Sequence, residues 1–137
     1  KMNFPNLTVN KHTIQIRPRY CETDQGGVVH HSVYPVWLEM GRTELLRENG
    51  MAYRDLEKAG IGFVVTELHI QYRRPAFYHE ILELTTEATK TTAIRIEHSY
   101  QLKRKDTGLL LLEASSTIAC VDSKGTPQRL PDFMTTQ

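Results

Sequence analysis

The chain has 137 residues, of which 39% are hydrophobic and 24% are charged, and its formal net charge is +1. This length suits one domain, and the composition is that of an ordinary globular protein. A net charge so close to zero gives no bulk attraction to nucleic acid or to a membrane surface, so neither is expected as a partner.

Three further features bear on where the protein is found. The longest uninterrupted aliphatic run, Leu109–Leu112, is far too short to span a bilayer. The first residues contain no apolar segment of the kind that a signal peptide has. The two cysteines, Cys21 and Cys120, do not make a disulfide framework. We therefore expect a reduced, cytoplasmic protein.

The first predicted elements are a strand and a long helix, separated by a pair of glycines. Residues His12–Tyr20 alternate between apolar and polar side chains, which predicts a half-buried strand. The chain breaks at Gly26-Gly27 and resumes near Ser32 as an amphipathic helix that ends at Asn49-Gly50. The spacing i, i+3, i+4, i+7 predicts the buried side of this helix: Tyr34, Trp37, Leu38, Gly41 and Leu45.

A shorter helix and four strands follow, joined by short turns. The helix is predicted over Ala52–Ala59, and the strands over Phe63–Arg73, Ile81–Lys90, Ala93–Lys103 and Leu109–Val121. Beyond the last strand we predict a tail that prolines interrupt. Consecutive strands with tight turns favour an antiparallel sheet, here of five strands.

One long helix covers little of a five-stranded sheet. The run Leu109–Leu112 also offers apolar side chains to both faces of its strand. We therefore expect a second copy of the chain to complete a sheet edge or face, which predicts an obligate homodimer or homotetramer.

One acidic residue, Asp24, precedes the glycine pair at the entrance to the long helix. Unpaired backbone N–H groups at a helix N-terminus can stabilise developing negative charge, so a carboxylate beside them is a candidate reactive group. Alternatively, Asp24 only stabilises a turn, since aspartate is favoured in turns for that reason alone. From the residues alone, both interpretations stay open.

The arrangement of these motifs resembles the hotdog-fold acyl-CoA thioesterases of the 4-hydroxybenzoyl-CoA thioesterase and YbgC type. The resemblance rests on T-D-x-G-G-V-V-x-H at residues 23–31, on Y-x-x-x-x-E-x-x-R at residues 34–42, and on Y-R-R-P-A at residues 72–76. It spans about residues 13–121. It implies a single hotdog domain over residues 1–137, an α+β fold whose five-stranded antiparallel sheet wraps around one long central helix.

The same resemblance implies hydrolysis of an acyl-CoA thioester to a carboxylic acid and free coenzyme A. Asp24 would be the general base or the nucleophile, and the backbone N–H of His31 would be the oxyanion donor. Coenzyme A is part of the substrate, so no cofactor and no metal is expected. The other predicted substrate-binding residues are Gly27 in the turn, Val33, Tyr34 and Trp37 at an apolar acyl pocket, and Arg73 and Arg74 for the phosphates of coenzyme A.

The sequence departs from the family pattern at three positions. Family members usually have an aromatic residue at His30, Asn or Ser at Val33, and Asp at Glu22. These differences leave the identity of the acyl group open. Two other functions also stay open: a thioesterase for acyl-carrier-protein substrates, and a hotdog protein that binds acyl-CoA without hydrolysing it. The carboxylate of Asp24 favours catalysis over binding alone.

Overall fold

The computed structural model describes residues 4–135. The helices are α1 (Tyr34–Glu48), α2 (Tyr53–Lys58) and α3 (Asp132–Thr135). The strands are β1 (Lys11–Ile16), β2 (Gly62–Tyr72), β3 (Leu82–Thr91), β4 (Arg95–Arg104) and β5 (Leu110–Val121). They form one antiparallel sheet in the order β1-β3-β4-β5-β2. None of the helices in this part of the chain is long and apolar enough to cross a membrane.

The predicted order of strands and of the two main helices is confirmed, with two differences. β1 ends at Ile16 rather than at Tyr20, because Pro18 cannot donate a ladder hydrogen bond and a 3-10 turn follows over Tyr20–Glu22. The predicted tail contains α3, which begins directly after Pro131. Four residues are too few to show a helical period, so the pattern of side chains gave no sign of this helix.

α1 lies closest to β1 and β3, and its buried side chains belong to a core that also includes residues of β4 and β5. All five residues of its predicted buried side are buried in the structure. Gly41 lies so close to β3 that a Cβ atom there would collide with the Oγ1 atom of Thr86. A larger residue at position 41 would therefore push the helix away from the sheet.

β2 is the exposed strand of the sheet: none of its residues is fully buried, whereas β3, β4 and β5 each have several buried residues. β2 is an eleven-residue strand at the end of the sheet, so one of its two edges has no neighbouring strand among residues 4–135. Its exposed apolar side chains are Val64, Val65, Leu68 and Tyr72, each between 43% and 52% exposed. α1 contributes two more exposed apolar side chains, Val36 and Met40, which lie one helical turn apart. One chain therefore leaves a long strand edge and an apolar surface uncovered.

A polar cluster is buried beneath α1. The Nη1 atom of Arg42 donates to the hydroxyl of Tyr100 at 3.0 Å, and that hydroxyl lies 2.5 Å from the Oγ atom of Ser116. His98, whose ring is 6.3 Å from that of Tyr100, is only 5% exposed, and its Nδ1 atom has no hydrogen-bond partner among residues 4–135. Burial and, secondarily, the charge of Arg42 lower the pKa of His98 to about 4.

This lowered pKa makes the free energy of unfolding depend on pH. The unfolded chain binds the His98 proton with the ordinary pKa of about 6.5, whereas the folded chain binds it only near about 4. Between these values the unfolded chain binds more protons, so stability falls as the pH falls through this window. We expect His98 alone to lower the free energy of unfolding by about 2 kcal/mol between roughly pH 7.5 and roughly pH 5. Denaturant unfolding at the two pH values measures this loss.

A His98→Gln variant removes the titrating group and should lose less stability over the same pH interval. His79→Gln, at an exposed histidine, is the control and should keep the pH dependence of the wild type. Equal pH dependence in the wild type and the His98 variant would contradict this role of burial.

Candidate active site

Asp24 lies in a tight turn between the 3-10 turn and α1. Its Oδ1 atom accepts hydrogen bonds from the backbone N–H of Gly26 at 2.8 Å and of Val28 at 3.1 Å. Gly27 completes the turn with a φ of 78°, in the left-handed region that favours glycine. The Asp24 side chain is exposed, and its Oδ2 atom accepts no hydrogen bond from residues 4–135. The turn thus holds one carboxylate oxygen and leaves the other free.

A second turn of the same kind occurs at Asp122. Its Oδ1 atom accepts from the backbone N–H of Lys124 and of Thr126, both at 2.9 Å, and Gly125 has a φ of 81°. Aspartate followed by glycine three residues later is therefore enough to form this turn. The turn alone is no evidence of catalysis. What distinguishes Asp24 is its position directly before the segment that leads into α1.

That segment contains the predicted oxyanion donor. The N–H of Ser32 donates to the Nδ1 atom of His30 at 3.2 Å, and the N–H of Val33 donates to the carbonyl oxygen of His30 at 3.0 Å. The N–H of His31 has no acceptor within the described range 4–135, and the residue is exposed. An unoccupied N–H in the turn before a helix can bind an anion, and the helix dipole adds to its positive potential.

Tyr72, on the exposed strand β2, contacts the backbone carbonyl group of His31. Its hydroxyl donates to the carbonyl oxygen of His31 at 2.9 Å. Its ring packs edge-to-face on the buried ring of Tyr34, with centroids 5.5 Å apart. The conformation of His31 therefore depends on β2, the strand that a single chain leaves exposed.

Exposed aromatic side chains lie around the Asp24 turn. Tyr20 is 77% exposed and packs edge-to-face on Tyr78, with ring centroids 5.6 Å apart. The N–H of Tyr78 in turn donates to the carbonyl oxygen of Gly27 at 3.2 Å. Phe77 is 40% exposed, and the guanidinium of Arg104 lies 5.9 Å from the centre of its ring. Such a surface suits contact with a flat or apolar group of a ligand.

Glu22 is a buried charged residue to which the sequence alone assigned no role. It accepts hydrogen bonds from the backbone N–H of Arg19 at 2.7 Å and from the indole N–H of Trp37 at 3.1 Å. Burial opposes ionisation, but the hydrogen bonds from Arg19 and Trp37 outweigh it and lower the pKa of Glu22. Glu22 therefore ties the chain before the Asp24 turn to α1. Fifteen positions separate Glu22 from Trp37, so no short spacing pattern could have revealed this contact.

The three residues predicted to line an acyl pocket lie in the core or next to it. Tyr34 and Trp37 are buried, and their rings pack edge-to-face with centroids 5.2 Å apart. Burial raises the pKa of Tyr34, although a hydrogen bond from the backbone of Ala76 opposes the shift. Val33 is half-buried and directly precedes α1. Contact between these side chains and an acyl group stays a prediction.

Arg73 and Arg74 follow β2, and the backbone N–H groups of both donate to the carbonyl oxygen of Leu111. Their side chains differ. The Nε atom of Arg73 donates to the carboxylate of Glu113 at 2.7 Å, within an ion pair. The side chain of Arg74 is exposed and forms no ion pair with any residue that the structure describes. Of the two predicted phosphate-binding residues, Arg74 is therefore the more available.

Within residues 4–135, Asp24 has a free carboxylate oxygen, and His31, seven residues later, has an unoccupied backbone N–H. These are the two functions that transfer of an acyl group to water requires, namely activation of the attacking group and stabilisation of an oxyanion.

Within residues 4–135, no three His, Cys, Asp or Glu side chains are grouped so that they could hold a metal ion. The adjacent rings of His30 and His31 lie 4.2 Å apart, and the Nδ1 atom of His30 is 2.7 Å from the Oγ atom of Ser32.

Comparison with known proteins gives concordant results. A family model described as the thioesterase-like superfamily matches residues 18–137. The chain is 35% identical over 118 residues to YneP of Bacillus subtilis, a match that covers 86% of this chain and 83% of that protein. It is 33% identical over 117 residues to the acyl-CoA thioester hydrolase YbgC of Escherichia coli, with 85% and 87% covered.

Solved structures agree with these relatives. A crystal structure described as a DHNA-CoA thioesterase from Staphylococcus aureus matches with a TM-score of 0.83 at 31% identity, covering 88% of this chain and 80% of that one. This likeness confirms the predicted hotdog fold, whose five-stranded antiparallel sheet packs against one long helix. The family model covers most of the chain, and both named relatives exceed 30% identity over most of their length. This chain therefore belongs to the thioesterase-like superfamily.

Proposed function

We propose that this chain hydrolyses acyl-CoA thioesters and releases a carboxylic acid and free coenzyme A. The observation that carries the proposal is the combination of a free carboxylate oxygen on Asp24 with the unoccupied N–H of His31, both beside the start of α1. The similarity to YbgC, an acyl-CoA thioester hydrolase, supports the choice of substrate class.

In the proposed reaction, the carbonyl oxygen of the thioester accepts a hydrogen bond from the N–H of His31 as negative charge develops on it. Asp24 acts in one of two ways. It removes a proton from an attacking water, or it attacks the carbonyl carbon itself and forms a mixed anhydride that water then hydrolyses. In both cases the C–S bond breaks and coenzyme A leaves as a thiolate, which is a good leaving group because thiols have a pKa of about 8.5.

Replacement of Asp24 by asparagine separates chemistry from turn geometry. The amide keeps an Oδ1 atom that can accept the hydrogen bonds from Gly26 and Val28, so the turn should persist. We expect kcat to fall by at least about 100-fold, because the base or nucleophile is lost. Release of free thiol from a panel of short, medium and long alkyl and aromatic acyl-CoAs measures this, with the thermal midpoint recorded in parallel.

Asp122→Asn is the matched control, because Asp122 forms the same turn at a different place in the chain. It should show wild-type turnover. Near-wild-type turnover in Asp24→Asn, or equal losses in both variants, would contradict catalysis by Asp24. Saturable binding of acyl-CoA by the wild type with no release of thiol would assign a binding role instead.

Arg74 is the residue that we propose to contact the phosphates of coenzyme A. Its side chain is exposed and forms no ion pair within residues 4–135, whereas Arg73 is held by Glu113. Arg74→Glu should raise KM for an acyl-CoA by roughly tenfold with a smaller change in kcat, since a charged hydrogen bond to phosphate is worth on the order of 1.5–3 kcal/mol. Steady-state kinetics of both charge-reversal variants measures this.

Two controls accompany this experiment. Arg73→Glu should raise KM less than Arg74→Glu does. With an acyl thioester of N-acetylcysteamine, which lacks the nucleotide, neither substitution should change KM. Equal increases in KM for the two kinds of thioester would contradict a phosphate contact.

We also propose that the chain forms a homodimer through β2. This strand has an unpaired edge and exposed apolar side chains, and the exposed Val36 and Met40 on α1 add to the uncovered surface. A strand that pairs with its own copy around a two-fold axis runs antiparallel to it and leaves no free edge. Because the hydroxyl of Tyr72 on β2 holds His31, dimer formation would also support the proposed oxyanion donor.

Leu68→Glu places a charge on this surface and should dissociate the dimer, because a charge buried without a partner is costly. Sedimentation velocity at micromolar concentration should show a dimer for the wild type and a monomer for the variant. Ser123→Glu, in an exposed turn, is the control and should leave the dimer intact. A wild-type chain that sediments as a monomer would overturn the proposal.

A further inference from the structure

A cavity of about 270 Å³ lies beside the C-terminal half of α1. The Asp24 turn lies at the opposite end, before the N-terminus of α1. The walls of the cavity also come from residues 7–10, from α2 and from the sheet. The lining is mostly apolar and includes Leu45, Leu46, Phe63, Ala88, Ile96 and Ile118. A cavity of about 150 Å³ with an apolar lining can hold benzene. This one therefore has room for a ligand of roughly six to ten carbon atoms.

A buried cation lines this cavity. Arg42 is 9% exposed, and its Nη1 atom donates to the hydroxyl of Tyr100 at 3.0 Å. Tyr53 also lines the cavity. A tyrosine hydroxyl carries no negative charge at neutral pH, and burial raises the pKa of Tyr53 to about 12. In the part of the chain that the structure describes, no ion pair includes Arg42, and Glu39, one helical turn earlier, is exposed.

A guanidinium carries five N–H donors and a full positive charge, so burial without an opposite charge is costly. A bound anion would remove that cost. The planar fork of arginine matches a carboxylate, with which it forms two parallel hydrogen bonds. Because the rest of the lining is apolar, one buried cation suits a singly charged carboxylate better than a doubly charged phosphate.

His98 supplies a second polar atom at the same place. It lines the cavity and is 5% exposed, and its Nδ1 atom has no hydrogen-bond partner within residues 4–135. An unpaired buried polar atom costs free energy that a ligand can recover. A neutral imidazole can carry its proton on Nδ1, and this N–H can donate a hydrogen bond to a carboxylate oxygen.

We propose that this cavity binds a small carboxylate with an apolar body of roughly six to ten carbon atoms. The carboxylate pairs with Arg42 and accepts a hydrogen bond from the Nδ1 atom of His98. The apolar body packs against the residues of α1 and the sheet that line the cavity. The site is separate from the Asp24 turn, so its existence does not depend on the proposed reaction.

Binding is tested with hexanoate, octanoate and phenylacetate, and with the neutral amide of each acid. Isothermal titration calorimetry gives the affinity, and the methyl NMR signals of Ala88, Ile96 and Ile118 report whether the ligand enters the cavity. We expect the best acid to bind with a Kd of about 1 mM or below. Each amide should bind at least about tenfold more weakly than its acid, because it carries no charge for Arg42.

Two variants locate the site, and two more serve as controls. Arg42→Met should weaken binding of the acids at least about tenfold and abolish their preference over the amides. Ala88→Leu fills the cavity without changing Arg42 and should abolish binding of acids and amides alike. Asp24→Asn should bind as the wild type does, which separates this site from the proposed reaction. Arg54→Met, at an exposed arginine of α2, is the control for loss of a charge.

Three results would overturn the proposal: no saturable shift of the cavity methyl signals up to roughly 10 mM acid, equal affinities for acids and amides, or undiminished binding by Ala88→Leu. If Arg42→Met does not fold, His98→Gln decides the role of the polar end, and unchanged affinity and selectivity in that variant would contradict the assigned contact.

The carboxylate belongs either to a free carboxylic acid or to the far end of an acyl group. Enzyme kinetics distinguish these two sources. A rise in KM for Arg42→Met that is confined to coenzyme A esters of dicarboxylic acids would identify the ligand as the far end of an acyl group. Unchanged kinetics on all esters, together with lost binding of the free acids, would identify it as a free carboxylic acid. Either result supports the site.

Discussion

The close packing of α1 against β3 determines where the functional features of this chain lie. Gly41 permits it, because a Cβ atom there would collide with Thr86. β2, at the far end of the sheet from β1, stays exposed and available to a partner. The segment after the Asp24 turn leads into the N-terminus of the helix. The C-terminal half of the helix lines the cavity, to which Arg42 also contributes. The placement of α1 on the sheet thus determines where the proposed active site and the proposed second site lie.

The two aspartate turns show that chemistry depends on position rather than on local geometry. Asp24 and Asp122 have the same backbone hydrogen bonds, yet only Asp24 is followed by an unoccupied N–H, that of His31, at the entrance to a long helix. Glu22 fixes this entrance through Trp37, and Tyr72 fixes it from β2. The proposed site is therefore supported both by the core and by the strand that we expect at the subunit interface.

Periodic features could be predicted from the sequence, whereas contacts between distant residues could not. The i, i+3, i+4, i+7 pattern identified the buried side of α1, and runs of strand-forming residues between turn signals predicted β2–β5 to within two residues. Two features leave no periodic signal, because they depend on how separate elements pack: the contact between Glu22 and Trp37, and the lack of an ion pair at Arg42 within residues 4–135. The residues alone made Asp24 a candidate, and the family resemblance assigned it a catalytic role and added His31. The structure adds that Oδ2 of Asp24 and the N–H of His31 have no partner within residues 4–135.

The most direct test is a crystal structure of the Asp24→Asn chain with an acyl-CoA that the wild type hydrolyses. We expect the carbonyl oxygen of the thioester within about 2.7–3.1 Å of the backbone nitrogen of His31, with the side chain of residue 24 next to the carbonyl carbon. A thioester bound with its carbonyl group away from both residues would contradict the proposed active site.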